Sequence, residues 1–217
     1  MMKRMIYTLY NIGIWALLLC PMTLWAQNAA SILEKAAAAY EQSGGMQADF
    51  TLNSRSNGQG SEAFEGSIDM RGDKFVWRSP DMITWFDGQT QWSYLLRNEE
   101  VNVTTPTGEE LQMTNPALLL RQYKKGFNAS YRGESTAPSG KTAYDIELTP
   151  KKRGEVTRVS IQIEKLSYLP ASITIVTQNG VTTTIRITRL RTGVQQPDAL
   201  FVFPADQYPE AEVIDLR

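Results

Sequence analysis

The hydrophobic positions along the chain follow two different periods. After residue 30 they recur four residues apart, at Ile32, Ala36 and Tyr40, which predicts an amphipathic helix that packs on another element. Ser31 opens a capping-box sequence, Ser-Ile-Leu-Glu, at the start of this helix, and Ser43 followed by two glycines ends it.

From residue 46 onward the period changes to two, which predicts strands joined by turns. Asp87-Gly88 and Asn179-Gly180 are hairpin signals, because type I′ turns need positive φ at both central residues. The alternating segments are Met46–Leu52, Phe64–Met70, Phe75–Trp77, Trp85 and Trp92 around the first of these turns, Tyr94-Leu95, Val101–Val103, Phe127–Tyr131, Tyr144–Leu148, Val159–Ile163, Ile173–Thr177 and Val181–Ile187.

A second helix interrupts the strands. Asn115 is placed to cap it, Pro116 suits its first position and Gly126 closes it. A long run of neighbouring hairpins tends to curl, and the concave face of the resulting sheet needs a cover. The pattern therefore predicts a mainly β fold: a curved, incompletely closed antiparallel β-barrel of about eleven strands, with a lid of short α-helices over the concave apolar face.

The first 26 residues have the layout of a secretory signal peptide. Lys3 and Arg4 precede the apolar run from Ile12 to Leu19, and Ala26 precedes polar Gln27. The run is shorter than the roughly 20 residues that span a bilayer. We expect a cleaved signal at 1–26, a single β domain at 27–217 and a periplasmic location.

Cys20 is the single cysteine of the chain and lies inside the predicted signal. A lipoprotein signal has a small residue directly before its cysteine, whereas Leu19 is bulky. We therefore expect Cys20 to be removed unmodified, which leaves a mature chain without a disulfide.

The composition excludes several functional classes. Histidine is absent, so histidine-activated nucleophiles and ordinary zinc sites are excluded. The adjacent pairs Glu99-Glu100 and Glu109-Glu110 fit solvated turns better than an acid/base pair, because neighbouring strand residues point to opposite faces. Removal of Lys3 and Arg4 would leave 20 basic against 23 acidic residues, too balanced for nucleic-acid binding. We predict no enzymatic activity, no cofactor and no metal.

Aromatic and methionine side chains are concentrated in the middle of the chain. They form either an ordinary core or an adaptable apolar wall for a flexible hydrophobic ligand. The residues concerned are Met70, Phe75, Trp77, Met82, Trp85, Phe86, Trp92, Tyr94 and Met113.

A family resemblance favours the second interpretation. Gly66-x4-Arg71-Gly-Asp-Lys-Phe75-Val-Trp77, Phe86-Asp87-Gly88-x3-Trp92-x-Tyr94, Val101-x-Val103, Asn115-Pro116-x-Leu118-Leu119, Phe201-x-Phe203-Pro204 and Val213-Ile214-Asp215 occur in this order. Together they resemble the periplasmic outer-membrane lipoprotein carrier family, LolA. The chain departs from the family pattern at Gly72, where a proline usually follows the arginine.

The resemblance implies a carrier that shields the acyl chains of lipoproteins in a hydrophobic cavity between the inner and outer membranes. Its implied partners are acylated lipoproteins as cargo, an inner-membrane ABC-type lipoprotein release complex and an outer-membrane acceptor; we expect a monomer. The implied cavity residues are Ile68, Met70, Phe75, Trp77, Trp85, Trp92, Tyr94, Val101, Val103, Met113, Leu118 and Leu119. Arg71 would be a latch whose guanidinium bonds free carbonyls at the end of a lid helix.

Two other functions fit the same fold. A sensor domain would detect mislocalised lipid or lipoprotein and signal through a partner protein. A membrane-anchored lipoprotein acceptor would require lipidation of Cys20.

We predict that the mature chain begins near Gln27 and carries no lipid on Cys20. Metabolic labelling with a radioactive fatty acid, followed by purification, measures this directly. Label attached covalently to Cys20 would contradict the carrier and favour the acceptor.

Overall fold

The computed structural model describes residues 22–56, 59–108, 110–111 and 116–217. Within these ranges the chain forms two α-helices and twelve β-strands. The helices are α1 (Met22–Gln42) and α2 (Pro116–Gly126). The strands are β1 (Met46–Ser56), β2 (Gln59–Arg71), β3 (Lys74–Arg78), β4 (Met82–Phe86), β5 (Gln91–Leu95), β6 (Glu100–Thr104), β7 (Phe127–Thr136), β8 (Thr142–Pro150), β9 (Val156–Glu164), β10 (Pro170–Thr177), β11 (Val181–Thr192) and β12 (Glu212–Asp215).

All twelve strands belong to one sheet, in the order β12-β6-β5-β4-β3-β2-β1-β11-β10-β9-β8-β7. Strand β12 runs parallel to β6, and the other neighbouring strands are antiparallel. The edge strands β7 and β12 are not paired with each other, so the described sheet is an incompletely closed barrel. This confirms the predicted fold class; the strand that raises the count above eleven is β12.

Helix α1 is longer than the sequence pattern predicted. It begins at Met22, so Ser31 lies inside the helix and does not cap it. Its end agrees with the prediction: the Ser43 amide donates to the Tyr40 carbonyl at 3.1 Å, and Gly44 adopts a positive φ of 69°. In the described part of the chain, neither helix combines the length and apolar character needed to cross a membrane.

The turn after β4 also differs from the predicted type I′ hairpin. Four residues, 87 to 90, connect β4 and β5. The Asp87 carboxylate accepts hydrogen bonds from the amides of Gln89 and Thr90, both at 2.8 Å. Asp87 therefore stabilises the turn through its side chain, a common role for aspartate in turns.

Several of the sequence predictions fall outside the described residues. They include the cavity residue Met113, the helix cap at Asn115, Glu109, and the part of the signal peptide at 1–21, which includes Cys20.

The inner face of the curved sheet carries two apolar clusters. One lies where α1 and α2 pack over β7 to β10, and includes Leu33, Leu120 and Ile161. The other lies on β1 to β4, and includes Phe50 and Phe86. The helices therefore cover one half of the concave face directly and leave the other half lined mainly by strand residues.

The outer face of β3 to β6 has an apolar cluster of its own. Residues 198–211 cross this face and insert Phe201, which is fully buried, beside Val76 and Trp85. Phe203 and Tyr208 then pack against Trp85, at ring-centroid distances of 5.4 and 5.9 Å. We call residues 193–217 the C-terminal segment; it completes the sheet through β12.

Gly66 makes room for the aromatic packing of the inner face. It lies opposite Phe50 in the β1–β2 pairing, and the Phe50 ring packs on Trp77 with centroids 4.1 Å apart. A Cβ at Gly66 would lie 2.4 Å from Phe50 Cζ and 2.5 Å from the Arg78 carbonyl oxygen. Because one of these neighbours is backbone, the contact cannot be relieved by a side-chain rotation alone.

We predict that Gly66→Ala lowers the free energy of unfolding by about 1–3 kcal/mol, the usual cost of overpacking. Denaturant unfolding of the purified protein measures it. Gly154→Ala is the control: a Cβ there meets nothing within 4 Å, so a change under about 0.5 kcal/mol is expected. Equal effects of the two substitutions would contradict the packing role of Gly66.

Candidate functional site

A cavity of about 410 Å³ lies on the inner face of the sheet, beneath α2. Among the described residues, none that lines it is charged. The lining residues are Leu52, Phe64, Phe75, Trp77, Ser79, Met82, Thr84, Gln91, Ser93, Leu119, Ile173, Ile175 and Ile185. The cavity thus separates the two inner apolar clusters and has walls from both halves of the sheet.

The cavity opens toward one end of the barrel. Along β1, the inward residues Met46, Ala48 and Phe50 are buried, and Leu52 is half-buried. Along β2, Met70 is buried, whereas Phe64 at the far end is half-buried. We call the end that carries the β1–β2, β3–β4, β5–β6, β8–β9 and β10–β11 turns the open rim, and the opposite end the closed rim. An apolar chain would enter from the open rim.

Both lid helices are tied to the closed rim at the β2–β3 turn. The Tyr40 hydroxyl of α1 donates to the Gly72 carbonyl at 2.7 Å. Burial raises the pKa of Tyr40 to about 12, an effect that the nearby Arg121 partly offsets. From α2, Arg121 forms an ion pair with Asp73. Two neighbouring residues of one turn therefore hold the two helices.

Arg71 makes a different contact from the predicted one. Its guanidinium donates to the carbonyl oxygen of Gln196 and to the Asp198 carboxylate, and lies 5.5 Å from the centre of the Phe201 ring. Lys74 donates to the same carboxylate at 2.5 Å. Hydrogen bonding from Lys74 and the charge of Arg71 hold the pKa of Asp198 below its usual value. Arg71 thus fastens the C-terminal segment, and the predicted bond to a lid helix is corrected.

The structure brings together only part of the predicted cavity lining. Phe75, Trp77 and Leu119 line the cavity. Ile68 and Met70 are buried in the inner cluster on β1 to β4 beside it. Leu118 is buried on α2 but does not line the cavity, and Met113 lies outside the described residues.

Five predicted lining residues lie on the outer face of the sheet. Trp85, Trp92, Tyr94 and Val101 belong to the outer cluster under the C-terminal segment. Val103 pairs directly with Trp92 and so shares its face. Their placement in the cavity is corrected: they alternate along the strands with the inward side chains, and adjacent strand residues point to opposite faces.

Sequence reasoning also missed one wall of the cavity. The inward positions of β4 and β5 carry Thr84, Gln91 and Ser93, which form a polar strip in a cavity whose other lining residues are apolar except for Ser79. The Ser93 hydroxyl lies 3.5 Å from the Thr84 hydroxyl and accepts from the Gln91 amide at 3.4 Å. The apolar period of β10 and β11 was a usable signal for Ile173, Ile175 and Ile185, whereas polar residues in β4 and β5 are typical of a solvent-facing side.

Of the paired glutamates, the structure describes Glu99, Glu100 and Glu110, and none of these three lines the cavity. Glu99 is exposed, with a positive φ of 56°, and Glu100 accepts from the Asn98 side chain at 3.0 Å. The Glu110 carboxylate accepts hydrogen bonds from the backbone amide and the hydroxyl of Thr107. The hydrogen bond from the amide holds the pKa of Glu110 below its usual value. Glu109 lies outside the described residues, and among the others no group of three metal-ligating side chains occurs.

Comparison with known proteins identifies relatives of this fold. The sequence model of the outer membrane lipoprotein carrier protein LolA matches residues 19–180. No curated protein sequence matches the chain. An uncharacterized conserved protein from Thermus thermophilus has a TM-score of 0.60 at 14% identity, over 87% of this chain and 99% of its own. This similarity supports the fold.

Two further structures resemble the chain more distantly. A putative outer membrane lipoprotein-sorting protein domain from Vibrio parahaemolyticus gives a TM-score of 0.47 at 10% identity, over 84% of this chain and 99% of that chain. The MucA/MucB complex of Pseudomonas aeruginosa gives 0.42 at 16% identity, over 82% and 62%.

We predict that Arg71→Leu and Arg121→Leu loosen different parts of the molecule. Arg121→Leu should speed amide hydrogen exchange in α2, because the helix loses its ion pair with Asp73. Arg71→Leu should speed exchange in the C-terminal segment and leave α2 unchanged. Each partly exposed pair contributes at most about 1 kcal/mol, so both variants should fold. Faster exchange of α2 in Arg71→Leu would support the original latch and contradict this assignment.

Proposed function

Since the chain belongs to the family of the outer membrane lipoprotein carrier protein LolA, we propose that it is a periplasmic carrier which shields the acyl chains of lipoproteins in its cavity. It moves them from the inner to the outer membrane. The observation that carries this proposal is the uncharged cavity under the lid, open at one rim.

An uncharged, largely apolar lining suits an acyl chain for a simple reason. Each methylene that leaves water contributes about 0.8 kcal/mol, so a hydrocarbon chain binds by the area it buries. Burying a charge in the same place would cost several kcal/mol unless it were paired. The polar strip of Thr84, Gln91 and Ser93 offers hydrogen bonds to the ester or amide oxygens of a lipid without introducing a charge.

The cavity volume indicates that cargo must displace the lid. About 410 Å³ is near the lower end of the roughly 300–1,000 Å³ of ordinary ligand pockets. A lipoprotein with several acyl chains needs more room than this. The contacts of Tyr40 and Arg121 with the β2–β3 turn would then have to break, and they favour the empty, closed state.

A carrier in this position requires a donor and a destination. The proposed partners are acylated lipoproteins as cargo, an inner-membrane ABC-type release complex that loads them, and an outer-membrane acceptor. The proposed carrier makes and breaks no covalent bond. A sensor of lipid or lipoprotein would share the cavity and differ in its output.

We predict that a triacylated peptide changes the tryptophan fluorescence of the protein through Trp77. Trp77 lines the cavity, whereas Trp92 lies on the outer face. Trp77→Phe should therefore remove most of the response, and Trp92→Phe should retain it. The measurement is emission against peptide concentration for both variants and the wild type.

Loss of the response in Trp92→Phe alone would place the lipid on the wrong face and contradict the proposal. Mass spectrometry of the protein purified from its own envelope identifies the cargo. A bound lipoprotein supports the carrier, and a bound free lipid in its place would contradict the lipoprotein cargo.

A further inference from the structure

Five cations meet at one side of the open rim. Lys124 and Lys125 end α2, and Lys151, Lys152 and Arg153 form the β8–β9 turn. Lys151 connects the turn to the end of α2 by two hydrogen bonds. Its amide donates to the Gly126 carbonyl at 2.8 Å, and its ammonium donates to the Lys124 carbonyl. We call these five residues the basic rim.

Three of the five cations interact with the C-terminal end of α2. Lys124 and Lys125 lie at the negative end of the α2 dipole, and Lys151 bonds a carbonyl in the last turn of α2. Lys124 also pairs with Glu34. By contrast, Lys152 and Arg153 are exposed, and no ion pair to them occurs in the described part of the chain.

The basic rim is close to the mouth of the cavity. The amide of Gln178 donates to the Glu155 carbonyl at 2.8 Å, and its side chain donates to the Gly154 carbonyl at 2.6 Å. Gln178 follows the cavity residue Ile175 by three positions, about 10 Å along an extended strand. The β8–β9 turn therefore lies next to the strand end that leads into the cavity.

The opposite rim has a different charge arrangement. Several cations of the closed rim have carboxylate partners: Lys141 pairs with Glu164, Lys165 pairs with Glu134, and Arg71 and Lys74 share Asp198. Unpaired cations beside an opening attract the anionic headgroups of a bilayer.

We propose that the basic rim docks the protein on the surface of a bilayer that contains anionic phospholipids, with the cavity mouth facing the membrane. The inference rests on the proposed function, because it turns the cavity mouth toward the membrane in which the release complex or the acceptor hands over the cargo. Asp81, Glu99 and Glu100 lie on the β3–β4 and β5–β6 side of the rim. The contact is therefore made at the α2 and β8–β9 side, with Glu155 as the acidic residue nearest to the cations in sequence.

The test is co-sedimentation of the exported protein with vesicles of phosphatidylcholine alone and of phosphatidylcholine mixed with phosphatidylglycerol. Each cation near an anionic surface strengthens binding by about fivefold, so Lys152→Gln/Arg153→Gln should weaken binding to the anionic vesicles by about 30-fold. The control Arg186→Gln/Arg191→Gln removes the same charge from exposed positions of β11 and should bind almost as the wild type does. Added salt should weaken wild-type binding.

Three results would overturn the docking surface: no preference of the wild type for anionic vesicles, wild-type binding by Lys152→Gln/Arg153→Gln, or an equal loss in the control. Binding of a soluble triacylated peptide is measured on the same proteins. Retained peptide binding in Lys152→Gln/Arg153→Gln, with vesicle binding lost, supports the proposal. A wild-type protein that binds no peptide would contradict the proposed function itself, whereas failure with vesicles alone overturns only the docking surface.

Discussion

The β2–β3 turn holds three separate segments onto the sheet. Tyr40 of α1 bonds Gly72, Arg121 of α2 pairs with Asp73, and Arg71 with Lys74 binds Asp198 of the C-terminal segment. A curved sheet with apolar residues on both faces has to be covered on both. This turn lies where the helices that cover the inner face meet the C-terminal segment that covers the outer face. Its few residues therefore position both covers on the sheet.

The two covers have different consequences. On the outer face, Phe201, Phe203 and Tyr208 fill the space over Trp85 and leave an ordinary packed core. On the inner face, the helices pack closely over β7 to β10, and a cavity remains that is bounded by α2, β1 to β5, β10 and β11. The Phe50 and Trp77 rings, which Gly66 allows to approach, pack against each other, and Trp77 forms part of the cavity wall.

Different parts of the cavity and its mouth interact with different parts of a lipid. The apolar walls gain free energy from any hydrocarbon, irrespective of its identity. The polar strip and the charges around the mouth respond to headgroups and to the state of the lid. Different residues therefore determine how strongly a lipid binds and how it is oriented, so a substitution can change one property without changing the other.

Local sequence patterns were sufficient to predict most of the local structure, although not the start of α1 or the form of the β4–β5 turn. The period of two, the turns and the proline and glycine signals placed eleven strands and the second helix, and hence the curved half-barrel. They could not decide which face of β4 to β6 is concave: alternation separates Trp85 from Thr84 without telling which points inward. That choice depends on the C-terminal segment, which joins the sheet from about 100 residues away in sequence and covers Trp85, Trp92 and Tyr94. Likewise the carbonyl and carboxylate that Arg71 binds come from that segment, and only the folding of the whole chain brings them to the β2–β3 turn.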